Sequence, residues 1–219
     1  MSDIAQFNMV EQQIRPWNVR SPVLLEAISG LDRTLFVPEA QQSLCYFDFP
    51  IELDESTRML EPKVVARLIQ ALEIHPEDHI LLVGAGSGYS AALCAQLART
   101  VVCQDTSRSA LDRAEKNCAS AGINNVGFQK VKSLFSLTDD VQYDAILLRE
   151  AITELPDACL KRLAKDGRCV ALLGHGYVRE MICYTREGDT MKQESIIDIL
   201  APLPQNRTDS AQVKAGFVF

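Results

Sequence analysis

The spacing of apolar positions changes near residue 75 and divides the chain into two regions. In the first, the period is helical. Ser21-Pro22 sets a capping hydroxyl before a proline suited to the first helical position, Leu24, Leu25 and Ile28 follow at helical spacing, and Gly30 closes the segment. A second helix starts at Pro62, with Val64, Val65, Leu68, Ile69 and Leu72 as its apolar stripe. Residues 36–60, with Pro38, Pro50 and mixed polarity, predict loop with short extended pieces. From residue 79, short apolar runs alternate with helical stretches. HILLV (79–83), VVCQD (101–105), VGFQKV (126–131), YDAILL (143–148) and RCVALLG (168–174) predict strands. Helices are expected over 88–98, 108–121 and 156–164, the second stopped by Gly122 and the third leading to a turn at Asp166-Gly167. This alternation predicts an α/β fold with a doubly wound, mostly parallel sheet. Residues 178–200 read as a hairpin turning at Glu187-Gly188-Asp189, and the terminal VKAGFVF as a further strand.

Composition narrows the class. The chain has 219 residues, 47% hydrophobic and 23% charged, which is enough to bury the core of one domain over 1–219. The formal charge is 22 − 29 = −7, so phosphate backbones are repelled and no nucleic-acid partner is expected. No apolar run reaches the ~18 residues that a spanning helix needs, and MSDIAQFNMVEQQIR is not a secretory signal. The seven Cys are scattered, without a CxxC pair, so neither a metal site nor a disulfide framework is signalled. A reduced, cytoplasmic protein without membrane contact is expected.

The sharpest motif is Val83-Gly84-Ala85-Gly86-Ser87-Gly88-Tyr89, set between a predicted strand and a predicted helix. Glycines let a backbone approach a ligand closely, and free helix N–H groups face an anion. A dinucleotide fingerprint needs its third glycine at position 89, where this chain has Tyr89. The GxGxG spacing therefore points away from NAD and towards S-adenosylmethionine, whose carboxylate takes the place of a pyrophosphate. Asp105 ends the next predicted strand, 21 residues past Gly84, where a carboxylate can accept both hydroxyls of a ribose. The plainer alternative is a tight turn with no ligand and a solvated Asp105.

These residues resemble the protein-L-isoaspartate O-methyltransferase family over most of the chain. Met9-Val10-Glu11-Gln12-Gln13-Ile14-Arg15 is similar to its opening helix. Arg33 with Phe36-Val37-Pro38 matches R-x-x-F-V-P, and Tyr46, Asp48 and Pro50 match A-Y-x-D-x-P. Gly84 to Tyr89 matches the cofactor loop G-T-G-S-G-Y, and Asn125-Val126, Tyr143 to Ile146, Pro156, Gly167-Arg168 and Ala201-Pro202-Leu203 follow in family order. The resemblance implies a Rossmann-like methyltransferase fold. Residues 1–75 would form a substrate-side cap, and 76–219 the cofactor-binding sheet and hairpin. It implies methyl transfer from S-adenosylmethionine to isoaspartyl carboxylates of damaged proteins, a repair activity. Gly84, Ala85, Gly86, Ser87, Gly88, Tyr89, Asp105 and Lys132 would line the cofactor site. Partners would be protein or peptide substrates, and the chain a monomer or weak dimer.

The chain departs from the family at chemically important positions. Anchored on Pro62, the family's G-Q-T-I-S-Q-P reads Ser56-Thr57-Arg58-Met59-Leu60-Glu61-Pro62, so the serine position holds Leu60. No catalytic residue is assigned. The acid before the glycine loop is Leu82, and the adenine-side G-D-G is Val131-Lys132-Ser133. These changes favour weakened activity, another methyl acceptor, or a non-catalytic relative that binds a partner.

Other residues read as surface or packing. His75 and His79, Asp139-Asp140, and the aromatics Trp17, Tyr46, Phe47 and Phe49 carry no ligand pattern. His175 lies beyond a strand end, where such sheets face ligands. Arg149-Glu150 follow the fourth strand at the same rim, as a solvated pair or as an arginine facing a carboxylate acceptor.

Overall fold

A computed structural model describes residues 2–55, 57–133, 141–174 and 178–200. Ser56, Asp139-Asp140, His175, Ala201-Pro202-Leu203 and the terminal VKAGFVF lie outside these residues.

The chain opens with α1 (Ser2–Asn8), which widens into a π-helical stretch over Met9–Ile14 and ends in a 3-10 turn at Arg15–Trp17. Helix α2 (Pro22–Gly30) starts as its sequence predicts: the Ser21 hydroxyl accepts from Leu24 N–H, and Pro22 takes the first helical position. Gly30 closes nothing by left-handed geometry, because the helix runs through it and Leu31 turns extended. Residues 33–59 form two 3-10 turns and a small ladder, β1 (Ile51–Glu52) with β2 (Arg58–Met59). Helix α3 (Pro62–Ala71) then buries Val64, Val65, Leu68 and Ile69.

The strands and helices that follow are β3 (His79–Val83), α4 (Tyr89–Leu97), β4 (Thr100–Asp105), α5 (Arg108–Ser120), β5 (Val126–Lys130), β6 (Tyr143–Leu148), α6 (Asp157–Lys161), β7 (Leu163–Leu173), β8 (Val178–Glu187) and β9 (Thr190–Leu200). The sheet order is β5-β4-β3-β6-β7-β8-β9, parallel as far as β7 and antiparallel in the β7-β8-β9 meander. Helix α5 ends with Gly122 left-handed. Gly122 N–H donates to Ala119 O and Ile123 N–H to Cys118 O, which satisfies two terminal carbonyls.

Two expected boundaries are corrected. Helix α6 is shorter than predicted, and β7 begins at Leu163, opposite Tyr143. The Asp166-Gly167 pair is therefore an irregularity inside the strand, with Asp166 at φ 62°, and not a turn before it.

Alternation across β3 builds both cores. Ile80 and Leu82 join the cluster that takes in α2, α3, α4 and α5 and the N-terminal residues Met9, Val10 and Ile14. Leu81 and Val83 join Ile146, Leu148, Cys159 and Leu163 on the opposite face.

Candidate functional site

The carboxyl ends of β3, β4 and β6 meet at the loop 84–88. Strand order reverses between β3 and β6, and open α/β sheets bind ligands in the crevice at such a point. Gly84, Gly86 and Gly88 have φ of 96°, 55° and 88°. A Cβ at Gly88 would lie 2.8 Å from Ala114 O, so this glycine lets the start of α4 rest on the backbone of α5.

Side chains of β6's end and of α5 hold the loop by its carbonyls, with the Cys118 thiol on Gly88 O at 3.6 Å. Arg149 Nε donates to Gly84 O at 3.2 Å, Arg113 Nε to Gly86 O at 3.1 Å and Asn117 Nδ2 to Ser87 O at 3.0 Å. Arg113 also pairs with Asp54 at 2.9 Å. Sequence reasoning missed Arg113 and Asn117 of α5. Their i,i+4 spacing on the helix that follows Asp105 was the available signal.

Asp105 is fully buried. Its Oδ2 accepts from Ala85 N–H and its Oδ1 from Ser107 N–H, each at 2.8 Å. The carboxylate is thus a clamp between the glycine loop and the cap of α5, whose Ser107 hydroxyl accepts from Ala110 N–H. A solvated Asp105 is ruled out.

Arg149 is not a solvated residue either, since only 5% of it is exposed. Its guanidinium lies on the glycine loop, where a Cβ at Gly86 would come within 2.8 Å of its Cζ. Besides Gly84 O it donates to Arg58 O at 2.7 Å and to Glu150 Oε1 at 2.8 Å. One arginine therefore joins β6, the glycine loop and the N-terminal β2.

The other candidates separate. Ala85, Ser87 and Tyr89 face a cavity of about 10 Å³, shared with Leu60, Ser90 and Arg149. The Tyr89 ring packs edge-on to Phe36 at 5.4 Å and under the Arg33 guanidinium at 4.5 Å. Arg33, fully buried, donates to Cys45 O and to Leu60 O, and its burial lowers its pKa. Leu82 belongs to the core. Lys132 is exposed beyond β5, next to Val131, whose N–H donates to Asp105 O. His79 stacks on Tyr143 at the opposite end of the sheet, and His75 is exposed. No group of three metal-ligating side chains occurs among the described residues.

In this arrangement the described residues leave little open room beside the glycine loop. The ground above Gly86 is filled by a guanidinium, and each Asp105 oxygen accepts one N–H group. The cavity beside the loop has room for at most about one water.

The chain is 32% identical to a Methanoregula boonei protein-L-isoaspartate O-methyltransferase over 188 residues, 86% of this chain and 87% of that protein. A Methanoculleus marisnigri protein of the same name is 34% identical over 181 residues, 82% of each chain. A Plasmodium falciparum structure, described as a protein-L-isoaspartate O-methyltransferase with S-adenosyl-L-homocysteine, matches the fold with a TM-score of 0.74 at 16% identity, over 91% of this chain and 98% of that one. The family model for protein-L-isoaspartate (D-aspartate) O-methyltransferase matches residues 5–203, and the chain belongs to that family.

Proposed function

We propose that the chain carries its family's repair reaction, methylation of the free carboxylate of isoaspartyl residues in damaged proteins with S-adenosylmethionine as donor, at a reduced rate. The family match over residues 5–203, with the positive-φ glycine loop intact inside it, carries this reading. A carboxylate acceptor, with a reference pKa of about 4, is ionised at neutral pH and needs alignment rather than a base. What Leu60 lacks is then an orienting donor. One hydrogen bond to a charged group is worth about 1.5–3 kcal/mol, roughly 10- to 150-fold in rate. Leu60 lines the small cavity beside the glycine loop, which supports this reading.

Seven unpaired thiols support a reducing compartment, and we place the protein in the cytoplasm. No described helix is long and apolar enough to cross a membrane. Its partners would be proteins or peptides, and the chain itself a monomer or weak dimer. The buried guanidinium over Gly86 favours a second reading, a relative that binds a partner without turnover.

The test is methyl transfer to an isoaspartyl peptide at saturating donor, with parent and Leu60→Ser compared per folded molecule. Slow turnover in the parent and a gain of roughly 10- to 100-fold in the variant are expected. No turnover in either, despite bound donor, sinks the isoaspartyl reading.

A further inference from the structure

We infer that Arg149 is an internal plug of the glycine-loop site, so that S-adenosylmethionine binds only after this guanidinium has left the loop. The inference rests on the reading of loop 84–88 as the cofactor site.

The guanidinium is built in, not resting there by chance. Arg149 follows β6 at the switch point of the sheet, the position from which a side chain reaches the crevice. It turns back over the loop and is fixed by three acceptors on three segments: Gly84 O, Arg58 O and the Glu150 carboxylate. A planar fork with five N–H donors suits such a divided set, which a lysine cannot copy. The close approach that Gly86 permits is taken by Arg149 itself, 2.8 Å from the place a Cβ would occupy. What the glycine loop cradles in this chain is therefore a group of the same chain. The cavity of about 10 Å³ that the described residues enclose beside the loop cannot take a nucleoside while the side chain stays.

Displacement exposes two carbonyls and breaks one ion pair before the ligand gains anything. The affinity measured is the intrinsic affinity reduced by the fraction of molecules with the loop open. Removing the guanidinium removes that penalty.

The test is calorimetric titration of S-adenosyl-L-homocysteine into the full chain and into Arg149→Ala, Arg149→Lys and Arg149→Met. Arg149→Ala should bind at least tenfold tighter than the parent, with Lys and Met between them. Met keeps much of the volume without the donors, so it carries the comparison if the Ala variant does not fold. A ligand-free check is the melting temperature of Gly86→Ala in both backgrounds. The backbone strain is common to both, so the fall should be several degrees larger with Arg149 present.

Equal or weaker binding by Arg149→Ala and Arg149→Met overturns the plug and makes the arginine a bystander or a clamp on the ligand. No binding by any variant at millimolar ligand overturns it too, since something else then closes the loop. Tighter binding without methylation of an isoaspartyl peptide leaves the plug standing and removes the functional reading. Micromolar binding and turnover by the unaltered chain do the reverse.

Discussion

Replacing Asp105 separates a carboxylate that builds the site from one that only touches a ligand. Its two oxygens accept Ala85 N–H and Ser107 N–H at 2.8 Å, in a fully buried position. Asp105→Ala leaves the buried Ala85 N–H and the part-buried Ser107 N–H without their acceptor, at about 1–3 kcal/mol for the first and less for the second. That is a large part of the ~5–15 kcal/mol that holds an ordinary domain together. Asp105→Asn keeps one carbonyl acceptor and turns an NH₂ towards the other N–H, so about half the loss is expected. Urea unfolding with no ligand present measures this, at constant slope against denaturant. A ligand-only aspartate would leave both variants within ~0.5 kcal/mol of the parent, like an ordinary surface change. That result would refute the clamp. Binding is scored apart from stability, by titrating S-adenosyl-L-homocysteine into those variants that fold.

Two further outcomes follow from buried charges and thiols. Arg168 donates to Leu72 O, Glu73 O and the buried Asp78 carboxylate, the last at 2.6 Å, and Arg168→Ala should cost about 3 kcal/mol in the same urea assay because it leaves that carboxylate with the His75 N–H but without its counter-charge. Burial pushes the thiols of Cys94 and Cys118 up to about 12 and that of Cys159 to about 11, whereas unfolded thiols ionise near ~8.5. A raised folded pKa gives stability that is complete below the unfolded pKa and is lost as pH rises towards the folded one. Melts should be flat to about pH 8 and fall beyond it, by roughly 1.4 kcal/mol per thiol at pH 9.5. An unchanged melt from pH 7.5 to 9.5 contradicts the burial of these groups.

The strand pattern and the glycine loop were legible because both depend on neighbours in sequence. HILLV and YDAILL are short apolar runs, and they form β3 and β6 over the predicted residues. The start of β7 was not legible, since Asp166-Gly167 supplies the same left-handed step to an irregular strand as to a turn. Asp105 was found by spacing. Its clamp role was not, because the donor Ala85 N–H is set by how β3 lies against β4. Arg149 is the hardest case. In sequence it is half of a charged pair after a strand, and its burial comes from acceptors 65 and 91 residues away. Only the tertiary fold brings Gly84 and Arg58 to one guanidinium.

Leu60 and Arg149 line the same small cavity, and this makes their double variant informative about the loaded state. Substitutions at residues coupled through a shared cavity interact by about 0.5–3 kcal/mol, whereas independent ones add to within ~0.3–0.5 kcal/mol. If Arg149 stays beside position 60 while the donor is bound, Leu60→Ser must act differently once Arg149→Ala has been made. If the arginine leaves, position 60 no longer meets it, and the two changes act on separate steps. Arg149→Ala then lowers the KM for the donor and leaves kcat alone. Leu60→Ser raises kcat and leaves that KM alone. In the double variant the kcat gain from the serine should match that in the parent within about twofold, the reach of ~0.4 kcal/mol. Additivity between two residues that share a cavity in the closed structure is the signature of displacement. A kcat gain that differs by more than about fivefold between backgrounds places Arg149 against position 60 in the loaded enzyme, and the opening of the loop would then have to come from the backbone of 84–88 and not from the side chain.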